Sequence, residues 1–254
     1  MPATMVFSHP NHEVAVLGTI FRLRPHIIYL TDGGADARVA ETKEALRSYQ
    51  PASVHYLNHT EQSFYDALVG EDLPFYRAVS QEIRSLFRNL DGDAIYCDAV
   101  EFYNPVHDIT LPIVRAALAG SEAPVFEVPL IYQKAGPIEA FELQHVPASL
   151  SDQSTCLKLT EEELARKTTT IKAGVYTILL EQFGTMLLAA LPSRGGCECF
   201  LKARTTLPRP APEQALRYEM RGSHLKDSGT VREVITFAGH YAPIYESLCG
   251  ESRH

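Results

Sequence analysis

Short runs rich in β-branched and aromatic residues alternate, through the first half of the chain, with stretches whose apolar residues recur at helical spacing. That alternation limits the fold more than any other feature. The runs are ATMVFS (3–8), HIIYL (26–30), SVHYL (53–57), AIYC (94–97) and VFEVPLIY (125–132). Between them lie EVAVLGTIFRL (13–23), DARVAETKEALRSY (36–49), PFYRAVSQEIRSLFRNL (74–90) and TLPIVRAALAG (110–120). Strands alternating with helices of this length predict βαβ units and a mostly parallel sheet. Right-handed crossovers then put helices on both faces, giving a Rossmann-like α/β fold.

From about residue 140 the pattern loosens. EAFELQHV (139–146) reads as a strand, residues 160–191 as helical, and LRYEM (216–220) to VREVITFAGHY (231–241) as less regular. The proline-rich TLPRPAPEQ (206–214) reads as a surface loop, so one domain is expected over 1–254. With 45% hydrophobic and 21% charged residues the chain is an ordinary globular one. A net charge of −8 gives a phosphate backbone no help, so nucleic acid is not an expected partner.

MPATMVFSHP has no basic region and no long apolar run, so no signal peptide is expected. The apolar YTILLEQFGTMLLAAL (176–191) is interrupted by Glu181 and Gln182 and reads as a buried helix, not a membrane span. Five scattered cysteines (Cys97, Cys156, Cys197, Cys199, Cys249) suit a reducing, cytoplasmic setting. Cys197-x-Cys199, after SRGG, reads as a loop feature, with metal binding as its alternative.

Ligands of an open parallel sheet bind at the carboxyl ends of its strands. Three polar loops fall there: SHPNHE (8–13), TDGG (31–34) and DAVEFYNPVHD (98–108). His9 ends the first strand and His12 opens the following helix, so a turn can aim both imidazoles at one point. His107, just before a later helix, is the candidate third donor. Three protein ligands with an open position make a catalytic zinc site. By spacing alone, surface histidines on a polar turn explain the same residues.

HPNHE, YLTDGG, ARVAETKEAL and DAIYCDAVEFYNPVHDITLPIVRAAL, in that order, resemble the PIG-L/LmbE-like zinc-dependent N-deacetylases, with EELARKTTTIKAGV (162–175) as weaker support. That family carries AHPDDE after its first strand, a TxG strand end, an RxxE helix start and HPDH opening a later helix. The resemblance implies an LmbE-like fold and metal ligands at His9, His12 and His107, with His12 standing where the family has aspartate. It places the family's general base on Asn11 and the proton-transfer histidine of HPDH on Asn104, with Val106 for the aspartate between. Glu13 is retained, and Arg38 and Glu41 match RxxE, whose arginine contacts substrate.

Asparagine cannot take a proton at neutral pH, and loss of a positioned base costs about a hundredfold to ten-thousandfold in rate. Three readings follow. In the first, the chain hydrolyses an amide or related C–N bond on a small polar, amino-sugar-derived substrate. Three neutral imidazoles then leave the zinc charge uncompensated and its water acidic, near pKa 7, while Asp98, Glu101, Asp108 or His240 supplies a proton. Each also has a plain structural reading, Asp108 as a helix cap, for example. In the second, the same three-histidine site holds iron or another divalent transition metal and runs non-hydrolytic or redox chemistry. In the third, the chain is a non-catalytic ligand-binding relative. Asp32 is a candidate substrate-side residue or partner of a ligand histidine, with helix capping as its alternative. Phe102 and Tyr103 either line a sugar face or plug the core. A small molecule is the expected partner, with homo-oligomerisation left open.

Overall fold

A computed structural model describes residues 3–90, 92–133, 141–184, 196–211 and 214–250. Seven strands form one sheet in the order β3-β2-β1-β4-β5-β9-β8: Ala3–Phe7 (β1), His26–Thr31 (β2), Ser53–His59 (β3), Ala94–Asp98 (β4), Val125–Val128 (β5), Ser154–Lys158 (β8) and Cys197–Lys202 (β9). The first five are parallel, with Val6 beside Ile28 on one side and Cys97 on the other. β9 and β8 close one edge antiparallel. Ile131–Gln133 (β6) and Phe141–Leu143 (β7) form a separate ribbon.

The helices are Leu17–Leu23 (α1), Asp36–Leu46 (α2), Glu61–Val69 (α3), Leu73–Phe87 (α4), Pro105–Asp108 (α5), Thr110–Ala117 (α6), Glu161–Lys172 (α7), Thr177–Phe183 (α8), Arg217–Asp227 (α9) and Ala242–Gly250 (α10). Successive side chains of a strand point to opposite faces. Val6, Ile28 and Leu30 accordingly join Phe64, Val79 and Ile113 under α3, α4 and α6. Met5, Phe7, Ile27 and Tyr29 join Leu17, Ile20, Leu46 and Ile171 under α1, α2 and α7. The expected fold, a mostly parallel sheet covered on both faces, is the one observed.

On that second face the buried Lys167 Nζ meets Glu198 Oε1 at 2.6 Å. Glu198 also accepts the N–H groups of Gly18 and Thr19 at 3.0 and 2.7 Å. Further hydrogen bonds of this kind are what let a buried ion pair offset its desolvation.

Several expectations need correction. VFEVPLIY is two strands, because Pro129 falls between β5 and β6. The helix expected over 160–191 ends at Lys172; Gly174 turns the chain at φ 72° before α8, and residues 185–195 lie outside the described residues. Residues 139–140 of the expected EAFELQHV strand also lie outside them. The cysteines are not all unpaired: Cys156 and Cys199 face each other across β8 and β9 and are joined by a disulfide. Cys197 and Cys199 therefore belong to a strand, not a loop. Among the described residues no helix is long and apolar enough to cross a membrane.

Candidate metal centre

The strand order reverses between β1 and β4, and a crevice opens at such a switch point, at the carboxyl ends of the two strands. The loop after β1 carries His9 and His12; the loop after β4 carries His107. At the first corner Ser8 C=O accepts the N–H of Thr31 at 2.8 Å. Asn11 turns the backbone at φ 80°, a left-handed conformation that asparagine tolerates better than most residues, into a tight helical turn at His12–Val16. Thr42 Oγ1 accepts the Asn11 N–H at 2.9 Å and faces its side-chain oxygen at 3.0 Å, while Asn11 Nδ2 donates to Glu41 Oε2 at 2.7 Å. Gly33, at φ 68°, lets the second loop press on this corner. A Cβ there would lie 3.1 Å from the Cβ of His9.

The second corner is built by caps. Asn104 caps α5, its Oδ1 accepting the N–H of Val106 at 2.8 Å. The buried Asp108 carboxylate folds back to accept the N–H of Glu101 at 2.9 Å and of Phe102 at 3.1 Å, fixing the loop from which His107 projects.

These corners bring His9, His12 and His107 together, one ring nitrogen of each lying within 4.8 Å of the others. His9 Nε2 is 3.0 Å from His107 Nε2. His9 Nδ1 faces the carbonyl of Pro10 at 3.0 Å; a carbonyl only accepts, so Nδ1 carries the proton and Nε2 presents a lone pair. His12 Nδ1 meets Asp98 Oδ2 at 2.9 Å, turning its Nε2 inward as well. Burial, first of all, lowers the pKa of all three imidazoles and keeps them neutral; the other site histidines and Arg38 add to this at His12 and His107. Burial also pushes the Asp98 carboxyl up to about 7, against the hydrogen bonds it receives from Ser8. His107 Nδ1 is buried with no hydrogen-bond partner among the described residues. Neutral imidazole nitrogens crowded at one point, one of them backed by a carboxylate, are a donor set suited to a divalent transition metal.

The three histidines line a cavity of about 370 Å³. Arg38, Glu61, Tyr65, Tyr103, Asn104 and Arg221 line it with them, and Leu130, Leu143, Leu179 and Phe183 are its apolar lining. Among the described residues Glu61 is the only carboxylate in that lining. Its Oε1 accepts from Asn104 Nδ2 and from the Tyr65 hydroxyl, both at 3.3 Å. Arg38 is half-buried; burial lowers its pKa, and the nearby Glu61 and Glu41 oppose that.

Of the expected site residues, Asn11, Asn104 and Arg38 line the cavity with the three histidines. Asp98 stands behind His12. Asp108, Asp32, Glu101 and His240 do not line it. Asp108 is engaged by backbone N–H groups, as the cap reading has it. Burial, above all, pushes its carboxyl up to about 8, against those hydrogen bonds. Asp32 Oδ1 accepts the N–H groups of Gly34 and Glu61 at 2.9 and 3.0 Å, tying the β2 loop to the start of α3. Glu101 Oε2 accepts those of Leu130 and Ile131, both at 2.9 Å. His240 sits in a widened turn at Phe237–Tyr241, its Nδ1 accepting the Thr236 N–H at 3.0 Å. Glu13 is buried among the hydroxyls of Tyr29, Thr42 and Tyr176. Phe102 plugs the core, whereas Tyr103 lines the cavity.

Glu61 and Tyr65 escaped sequence reasoning because α3 did. The signal was present: Thr60 caps Ser63 N–H at 3.1 Å, and Phe64, Ala67 and Leu68 make a short apolar face. Glu61 and Tyr65, four residues apart, then share the face turned to the site.

Solved structures share this α/β fold, in which the three-histidine corner of this chain sits at the switch point of the sheet. The A40926 pseudoaglycone deacetylase matches with a TM-score of 0.57 at 14% identity, over 79% of this chain and 96% of that one. The zinc-inhibited form of the teicoplanin deacetylase matches with a TM-score of 0.54 at 13% identity, over 79% and 97%. The LmbE-like fold that the motifs led one to expect is thus the fold adopted. No family model and no curated protein matches the chain.

Proposed function

We propose that this chain is a metal-dependent hydrolase that removes an acyl group from the nitrogen of a small polar, amino-sugar-derived molecule, with zinc held by His9, His12 and His107. The observation that carries the reading is the meeting of three buried, neutral imidazoles with one carboxylate, Glu61, in a cavity of about 370 Å³. The structural neighbours are named as deacetylases, which supports the reaction class.

A zinc ion bound there would supply Lewis acidity toward the acyl oxygen and an acidified water. The chain's own groups do the rest. Asn11 cannot act as base, since an amide takes no proton at neutral pH, and Glu41 and Thr42 hold its side chain in place. Glu61 Oε2 takes the proton that water gives up and hands it to the nitrogen as the C–N bond breaks, so that the amine leaves neutral and the acyl group leaves as its acid. Asn104 Nδ2 and the Tyr65 hydroxyl orient the carboxylate through Oε1, and the nearby Arg38 guanidinium steadies its charge. The apolar lining limits water around the acyl group.

The test is elemental analysis of the purified protein beside a His9→Ala/His107→Ala double variant, followed by assay of N-acetylated amino sugars. The expected result is about one zinc per chain, lost in the variant together with turnover. Iron or copper in that stoichiometry would favour the redox alternative. A zinc-replete protein without turnover across a broad panel of N-acyl sugars would end the hydrolase reading.

A further inference from the structure

A second cavity, of about 730 Å³, adjoins the first. Tyr65, Tyr103, Asn104 and Arg221 line both. The metal-side cavity lies at the small end of the roughly 300–1,000 Å³ range of ligand sites. It suits one ring and its acyl group, and the neighbouring space is about twice as large.

The chemistry of that space is uneven. Arg217 and Arg221 stand four residues apart on α9, so they share one helix face, and Arg232 adds a third guanidinium. Two carboxylates also line it, Asp66, which accepts from Gln62 Nε2 at 2.8 Å on the same wall, and Glu233, 3.5 Å from His240 Nε2, so the arginines outnumber them three to two. Three arginines around one cavity run against a chain whose net charge is −8. The rest of the wall mixes the apolar side chains of Leu225, Val231, Ile235 and Val69 with tyrosines and amides. Among the described residues only Val69 and Met220 are large hydrophobic side chains left exposed, and Val69 faces this cavity. Monomer surfaces leave clustered apolar groups uncovered chiefly where something binds.

We propose that the second cavity is a substrate subsite that takes an apolar group ending in an oxyanion, with Arg221 and Arg232 reading the charge. The proposal rests on the hydrolase reading for what occupies the first cavity: the substrate is an N-acyl amino sugar whose anomeric substituent carries the apolar, anionic part. Arginine suits the role because its planar fork can meet a carboxylate or phosphate with two hydrogen bonds. Asn104 and Tyr65, at the junction, contact both halves of such a molecule.

The test uses three glycosides of N-methanesulfonylglucosamine, which has no acyl carbon to hydrolyse: 4-carboxyphenyl, 4-carbamoylphenyl and methyl. Calorimetry on the protein as purified gives each Kd. The carboxyphenyl glycoside is expected to bind about tenfold more tightly than the carbamoyl one, the order of a charge-assisted hydrogen bond. Arg221→Gln and Arg232→Gln should each shrink that ratio, Arg221→Lys should keep part of it, and Arg232→Gln, at a residue that lines only the second cavity, should bind the methyl glycoside as the unaltered protein does. A 4-phosphophenyl glycoside, added as a fourth probe, separates preference for carboxylate from preference for phosphate. Equal affinity for carboxylate and carboxamide in the unaltered protein would overturn the subsite, as would a preference that both glutamine variants leave intact. Turnover of the matching N-acetyl glycosides is scored separately. A protein that discriminates the charge but hydrolyses none of them keeps the subsite and loses the hydrolase, and one that hydrolyses all of them without discrimination does the reverse.

Discussion

Replacing Asp98 with asparagine isolates the charge behind His12. Asp98 Oδ2 accepts the Ser8 N–H at 2.7 Å and faces His12 Nδ1 at 2.9 Å, in a residue with no solvent exposure. An asparagine oxygen in the same place can accept both bonds, so the ring stays oriented and, above about pH 7 where Asp98 is ionised, only the negative charge is lost. The new amide nitrogen would fall where Asp98 Oδ1 now lacks a partner, and an unsatisfied buried amide costs about 1–3 kcal/mol of folding stability. The ligand itself loses basicity. Loss of such an outer partner typically weakens metal affinity about 10- to 100-fold, or about 1.4–2.7 kcal/mol. Competition against a chromophoric chelator gives the zinc Kd of both proteins, and circular dichroism checks that the variant is folded. Asp98→Asn should bind zinc about 10- to 100-fold more weakly, and His12→Ala more weakly still. A folded Asp98→Asn variant that binds zinc within about twofold of the unaltered protein would refute the claim that this carboxylate tunes a ligand.

Glu61→Gln should keep its metal and lose turnover by about a hundredfold to ten-thousandfold, read from steady-state kinetics beside elemental analysis. Asn11→Asp, which writes the family's base back into the sequence, should not raise turnover. It sets a carboxylate where Asn11 Nδ2 now lies 2.7 Å from Glu41 Oε2, and thermal unfolding should show a loss of about 1–3 kcal/mol that Glu41→Gln partly restores. At the α7 cap, hydrogen bonds from Arg22 hold the Glu163 carboxyl below its ordinary 4.5. A depressed folded pKa gives stability that is whole above the unfolded value and fades as pH falls through the folded one. The stability gap between the unaltered protein and Glu163→Gln should therefore be about 1 kcal/mol or less at neutral pH, since Arg22 is partly exposed, and should close below about pH 4.5 in denaturant titrations.

The parallel half of the sheet was legible because its strands are buried on both faces and read as continuous apolar runs, HIIYL among them. The carboxyl-edge loops followed from that, and with them the two corners that bring His9, His12 and His107 together. β8 and β9 were not legible. STCLK and CECFLK pair antiparallel at one side of the sheet, β8 at its edge, and carry polar residues at positions where a central strand would be apolar. The same pairing hid the Cys156–Cys199 bridge, which joins strands across 43 residues of sequence. Lys167 lies on a helix that reads as polar, and its burial is explained by Glu198, from a strand no pattern announced, together with the Ala15 carbonyl at 2.6 Å. Glu61 was lost for a different reason. Its relevance depends on α3 lying against the β1 and β4 corners, and no local periodicity encodes that adjacency.

The departures from the deacetylase motifs form a pattern once the neighbours are counted. Four positions where the resemblance expects a carboxylate or a proton-transfer histidine carry other groups here: Asn11, His12, Asn104 and Val106. Val106 is buried in the core, and each of the other three has a carboxylate from another part of the chain against it: Glu41 at 2.7 Å, Asp98 at 2.9 Å and Glu61 at 3.3 Å. The negative charge is thus present near the site but one residue further from its centre. A neutral ligand set of this kind compensates a metal's charge less, which favours ionisation of bound water. Such a nucleophile needs less help from a base beside it, so the burden moves to protonating the leaving amine. That task requires a group that can hold a proton on the cavity side, and among the described residues Glu61 is the only carboxylate lining the cavity. The two asparagines therefore need not mark a dead enzyme. They fit a site in which the amides orient and the displaced carboxylates carry the charge.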